Sequence, residues 1–216
     1  MEKRVSILLA CIAISALAMS TTSKAANLLV DPGSEGAVTS PTSNGIGGWS
    51  FFNGAGFSTD FAHSGTNANK LAGPGGFSVP GAFQQVPASP GQVFTMTGFG
   101  LQPTVPAVNA NTWGALQISF FNSSGVDIGT VETGGSGAKV GNKVDSSSAA
   151  GVWIPLSVTA TAPAGTASVE AFDLVLDATA TTVYFDDQTL VPEPSTVAMA
   201  LTGLLGLVAF AKKRRV

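Results

Sequence analysis

Between Ala26 and Val191 apolar and polar residues alternate in short runs, and no stretch sustains the spacing of an amphipathic helix. Val93-Phe94-Thr95-Met96-Thr97-Gly98-Phe99 follows the turn sequence Ser89-Pro90-Gly91. Leu116, Ile118 and Phe120 alternate with Gln117 and Ser119, and Asn122-Ser123-Ser124-Gly125 then turns the chain into Val126 to Glu132. Ile154, Leu156 and Val158 repeat the pattern ahead of Pro163-Ala164-Gly165, and runs over 169–176 and 182–190 complete the set. Strand-length runs bounded by Gly, Pro and Asn predict an all-β domain, an antiparallel jelly-roll β-sandwich. Thr133 to Gly151, rich in Gly and Ser, reads as a long loop.

Both ends depart from this pattern. Lys3 and Arg4 precede an apolar run from Val5 to Ala18, and the polar stretch after it ends Ser23-Lys24-Ala25. The run is short for a membrane span, and small residues at Ser23 and Ala25 predict a cleaved signal peptide over 1–25, cut between Ala25 and Ala26. Leu8-Leu9-Ala10-Cys11 resembles a lipoprotein box, but a cut there leaves only Val5 to Leu9 as the apolar segment, too short for export. At the other end, Ser195 to Ala211 are seventeen residues without a charge, enough for one transmembrane helix of about 25 Å. Lys212, Lys213, Arg214 and Arg215 follow at once and predict a cytoplasmic C-terminus. The body, 26–191, therefore lies outside the inner membrane.

Charge sharpens the contrast. From Ala26 to Pro194 there are twelve acids against Lys70, Lys139 and Lys143, a net charge of −9 hidden within the −3 of the whole chain. An acidic body excludes nucleic acid as a partner, because that recognition needs a positive patch. Cys11 is the one cysteine, so the body without its signal has no disulfide.

Pro192-Glu193-Pro194 stands directly before the apolar helix. Two prolines around a glutamate cannot be helical and leave an extended, exposed peptide just above the membrane. An ordinary anchor explains the helix and the basic stop but not this tripeptide. The three-part order over 192–216, within Val191 to Val216, resembles PEP-CTERM sorting signals. That resemblance implies an exosortase that cuts near Pro192, Glu193 and Pro194, a passing stay in the inner membrane, and delivery to the surface or matrix of a Gram-negative bacterium, where such proteins accompany exopolysaccharide and biofilm.

The body carries a second resemblance. Asn27-Leu28-Leu29-Val30-Asp31-Pro32-Gly33-Ser34-Glu35 is similar to the opening of carbohydrate-binding jelly-roll modules of the galactose-binding-like fold. Gly48-Trp49, Phe83-Gln84-Gln85-Val86 with Pro90-Gly91-Gln92-Val93-Phe94, and Val183-Tyr184-Phe185-Asp186-Asp187 match later motifs of that family. Asp31 stands where the family has Asn, and Ser34 where it has Phe. The resemblance implies a structural calcium ion held by Glu35 with Asp186 or Asp187, consistent with the ion's preference for oxygen ligands. Without the ion, Glu35 would cap a turn and both Asp residues would be solvated at a strand end.

Glycan contacts would come from aromatic faces. Trp49, Trp113 and Trp153 are the candidates; Trp49 matches a packing position, and Trp113, beside the irregular Asn109-Ala110-Asn111-Thr112, is the surface candidate for glycan binding. Catalysis finds little footing. His63 is the one histidine, in Ala62-His63-Ser64-Gly65, and reads as a solvated loop residue. Glu170 and Asp173 point to opposite faces of a strand, whereas a glycosidase needs two carboxylates flanking one bond. Asp173, Val175 and Asp177 share a face that reads as exposed. No phosphate loop or dinucleotide fingerprint is present. The sequence thus points to a non-enzymatic surface protein that associates with or binds extracellular polysaccharide, with a purely structural matrix protein as the alternative and a secreted glycan-active enzyme as a third, less favoured reading.

Overall fold

A computed structural model describes residues 26–36, 48–73, 78–104, 108–109, 111–134, 142–176 and 180–193. The predicted signal peptide with Cys11 and Ala25, Lys139, Asp177, Pro194, the apolar segment 195–211 and the basic stop lie outside these residues.

The described chain holds ten strands: β1 (Ser50–Phe52), β2 (Ala55–Ser58), β3 (Ala68–Ala72), β4 (Gly81–Pro87), β5 (Val93–Leu101), β6 (Trp113–Asn122), β7 (Asp127–Glu132), β8 (Ile154–Thr161), β9 (Thr166–Leu176) and β10 (Thr182–Pro192). They form two five-stranded sheets, ordered β1-β4-β9-β6-β7 and β2-β3-β10-β5-β8, with all pairings between strands antiparallel. The expected sandwich is therefore observed, and among the described residues there is no helix.

Alternation explains why these sheets face each other. Phe94 and Met96 on β5, Leu156 and Val158 on β8, and Phe185 and Leu190 on β10 turn one way and are almost completely buried. Leu116, Ile118 and Phe120 on β6, with Val169, Ala171 and Val175 on β9, meet them from the first sheet. Each of these side chains except the small Ala171 contributes about 1.5–3 kcal/mol by leaving water. The sheets approach closely at Gly114, where a Cβ would stand 2.8 Å from Val183 and 3.0 Å from Phe185. The long loop predicted after Thr133 is interrupted at Val144, which bridges to Gly114 and is buried.

Polar residues also enter the interior. Gln84 accepts from the Val30 N–H (2.9 Å) and donates to the Val30 carbonyl (2.7 Å), clamping the N-terminal segment to β4. Trp49 is 1% exposed and donates its indole N–H to the Asp31 carbonyl. Asp173 also faces inward, correcting the expectation of an exposed strand face shared with Val175: it is 0% exposed, and its Oδ2 accepts from Asn69 (2.8 Å) and Gln188 (2.7 Å) of the opposite sheet.

Candidate functional site

Glu35, Asp186 and Asp187 all converge on one loop, His63 to Asn67. Glu35 Oε1 accepts from the backbone N–H of Thr66 (2.9 Å) and Asn67 (3.2 Å), and Oε2 from the Thr66 hydroxyl (2.7 Å). These donors hold its carboxyl below the usual range, the Thr66 hydroxyl foremost. Asp186 Oδ2 accepts from the N–H groups of His63 (2.7 Å) and Ser64 (3.1 Å), and Oδ1 from that of Asp187 (2.7 Å). Burial nevertheless pushes Asp186 upward. Asp187 meets His63 Nδ1 at 2.6 Å and accepts from the Ser64 hydroxyl at 2.6 Å. A register shift in β10 between Asp186 and Thr189, with Asp187 at φ 52°, turns the two carboxylates onto the loop.

This arrangement does not fit a calcium cage. Each of the six carboxylate oxygens meets an N–H, an O–H or the imidazole nitrogen. Among the described residues no three His, Cys, Asp or Glu are grouped to hold a metal ion. What the acids form is a clasp that ties the chain start, the loop and the last strand together. His63 belongs to it: its ring stacks on Phe99 at 3.7 Å and meets Trp153 edge-on at 5.6 Å. It is not the freely solvated residue the sequence suggested.

Trp113 opens β6 and is half-buried, with the Lys143 ammonium 5.3 Å from its ring centre and the indole N–H buried without a partner. Its ring is thus shared with a protein cation rather than offered as a bare platform. A groove of about 530 Å³ beside Lys143, Asp145 and Pro155 has no aromatic lining. A second groove, about 380 Å³, includes Phe99, whose face His63 covers.

The outer face of the first sheet is different. Because β1, β4 and β9 pair in register, Phe83 and Phe172 stack on each other with ring centres 5.2 Å apart and planes 27° apart, and Phe52 tilts towards Phe83 at 6.1 Å. Gln117 and Glu132 continue that row. Two residues along the strands, roughly 7 Å away, runs a polar row of Gln85, Glu170, Ser119 and Thr130. Gln85 donates to Glu170 (3.2 Å) and Ser168 (3.1 Å); Gln117 donates to Ser119 (2.9 Å), which shares a 2.7 Å hydrogen bond with Thr130. Thr130 donates to Asp127 at 2.8 Å. Burial, reinforced by the charge of Asp127, pushes Glu170 up to about 7, and burial raises Glu132 as well. An aromatic row beside a row of hydroxyl, amide and carboxyl groups can stack on a sugar ring and bond its hydroxyls. The sequence reading missed this face. Its signal was an inverted alternation, with Gln84 turned inward and Phe83 outward.

Pro192 and Glu193 are extended, as their composition requires, but they do not hang free. Pro192 pairs with Phe94, and Glu193 donates its N–H to the Val93 carbonyl at 2.8 Å.

Comparison with known proteins separates the tail from the body. Residues 190–215 match the PEP-CTERM protein-sorting motif, which marks an exported protein held transiently in the membrane before exosortase cleavage. No curated protein matches the chain. Among solved structures, the CBM22-1–CBM22-2 tandem domain of Paenibacillus barcinonensis Xyn10C is similar with a TM-score of 0.53 and 12% identity, over 82% of this chain and 48% of that one. The enzymatically active domain of tailspike protein 4 of bacteriophage CBA120 gives 0.51 and 11%, over 77% of this chain and 21% of that one. A family 16 carbohydrate-binding module gives 0.49 and 20%, over 76% of this chain and 99% of that one. The body thus shares the β-sandwich fold seen in carbohydrate-binding modules.

Proposed function

We propose that this chain is an exported protein whose sandwich binds polysaccharide through the outer face of its first sheet, and which an exosortase cuts from its tail for delivery to the cell surface or extracellular matrix. The observation that carries the binding half is the stacked pair Phe83 and Phe172 with its parallel polar row. Aromatic faces supply apolar contact to sugar rings, and Gln85, Glu170 and Gln117 supply directional bonds. Asp127, Glu132 and Glu170 lie on this face; Lys143, at its Trp113 end, is engaged with Asp145 at 3.2 Å. That charge balance favours neutral chains over uronate-rich or sulfated ones. Binding is non-catalytic in this reading, and the link to biofilm rests on the sorting signal alone.

A glycan array probed with the body, residues 26–193, tests it. Neutral oligosaccharides should bind, and Phe172→Ala should lose most of that binding while melting as a folded domain. No binding to any glycan would leave the body as a structural matrix protein. Binding unaffected by Phe172→Ala would place the glycan elsewhere.

A further inference from the structure

We propose that Pro192 and Glu193 of the sorting motif are held in the domain's own sheet, so that the folded body restrains its own cleavage and the processing enzyme acts on a locally opened form. The proposal rests on the sorting reading of the tail. On one edge, the last residues of β10 pair with β5, Val191 against Thr95 and Pro192 against Phe94, and the Glu193 N–H reaches the Val93 carbonyl at 2.8 Å. The Glu193 side chain is fixed as well, since the Thr95 hydroxyl lies 2.8 Å from Oε1. Thr95 is itself braced by Thr159 at 2.8 Å. On the other edge, the segment that follows the predicted signal-peptide cut lies alongside. The Leu28 N–H donates to the Leu190 carbonyl (2.9 Å), and Asn27 accepts from the Leu190 N–H (2.8 Å) and donates to the Gln188 carbonyl (3.0 Å).

Backbone groups along a strand alternate between its two edges. Glu193 therefore faces β5 and Pro192 faces away from it, so the missing proline N–H costs the β5 ladder nothing. An enzyme that binds an extended peptide commonly does so by pairing with its backbone edge. At Glu193 that edge is already taken, and the carboxylate, the one charged group of the tripeptide, is turned onto Thr95. Cutting at the motif then requires Val191 to Glu193 to peel from β5. The bonds that must break are few and lie at the end of β10, where Glu193 is exposed, which suits an opening at the low-stability end of the fold. The restraint is a weak one, set by the Val191–Thr95 pairing, the Glu193–Val93 backbone bond and the Thr95–Glu193 side-chain bond.

The test follows the full-length chain in its native host by pulse-chase, measuring the rate at which the long form is converted to the short one. Thr95→Val removes the hydroxyl that holds Glu193 while keeping a branched strand residue, and should speed conversion roughly two- to fivefold. Thr97→Val removes a bond of the same kind, Thr97 to Thr189 at 2.7 Å, away from the motif, and should leave the rate unchanged. A ten-residue Gly/Ser insert between Val191 and Pro192 frees the motif from the sheet; conversion should then be at least as fast as with Thr95→Val and insensitive to that substitution. Equal acceleration by Thr95→Val and Thr97→Val would overturn the proposal in favour of general loosening. So would an insert that slows or stops conversion, since the enzyme would then be reading the sheet-bound form. A wild-type chain that is never shortened overturns the sorting reading and this proposal with it.

Discussion

Replacing Asp173 by Asn should make the protein more stable at neutral pH and leave it little changed in acid. Asp173 is wholly enclosed between the sheets, and burial pushes its carboxyl from 3.8 up to about 7 despite the amides of Asn69 and Gln188. The proton is therefore bound by the native state and not by the unfolded chain between about pH 4 and 7, so this group's contribution is fully present below about 4, falls as pH rises, and is lost by about 7. Roughly three units at about 1.4 kcal/mol each give an upper limit near 4 kcal/mol, and about 2–4 kcal/mol once the site relaxes. An amide in place of the carboxyl removes the titration. It also supplies an N–H where Asp173 Oδ1, Asn69 Oδ1 and Gln188 Oε1 are buried without partners. Urea unfolding of both proteins from pH 4 to 8 measures the difference, in which contributions from acids that do not interact with Asp173, Glu170 included, cancel, while that of Asp186, whose charge reaches Asp173, is counted with it. Equal pH profiles, or a variant less stable at pH 8, would refute the assignment of Asp173 as a buried carboxyl that gains its charge at a cost.

The clasp makes two further predictions. Gly65→Ala places a Cβ at φ +61°, 2.1 Å from Glu35 Oε1, so the substitution should destabilise by about 1–2 kcal/mol from backbone strain alone and more from displacing Glu35, read as a fall in melting temperature. Chelator should leave that temperature unchanged, because the carboxylates are already satisfied by donors from the loop and His63. Calcium at a hundred times its Kd would contribute about 2.7 kcal/mol, so a drop of several degrees in chelator, reversed by calcium, would restore the ion that the family resemblance implies.

Six of the ten strands, β5 to β10, were legible in the sequence because they are long enough for alternation to show, and β4 was marked only by the motif Phe83-Gln84-Gln85-Val86. The first three escaped it. β1 to β3 hold only three to five residues each, in a stretch broken by Gly, Asn and Ser, and gain their strand form from neighbours far along the chain. Parity correctly set Glu170 and Asp173 on opposite faces but could not say which face was core, since an acid placed between two sheets contradicts the ordinary preference. The binding face was hidden for a related reason: Phe52, Phe83 and Phe172 become neighbours only through the register of β1, β4 and β9. Trp113 stands out as a large ring beside an irregular run, but nothing in the order of residues marks Lys143, thirty positions on, as the cation that lies over it. The tail is the opposite case. Its meaning lies in consecutive residues, and only its pairing with β5 needed the fold.

The state of the C-terminus after export decides most directly whether the tail is a processing signal. Mass spectrometry of the protein recovered from the surface or medium of its native host should find a chain that begins at Ala26 and ends near Pro192-Glu193-Pro194, without the apolar segment or the basic stop. An intact Val216 on the mature, localised protein would contradict it and make the tail a permanent anchor.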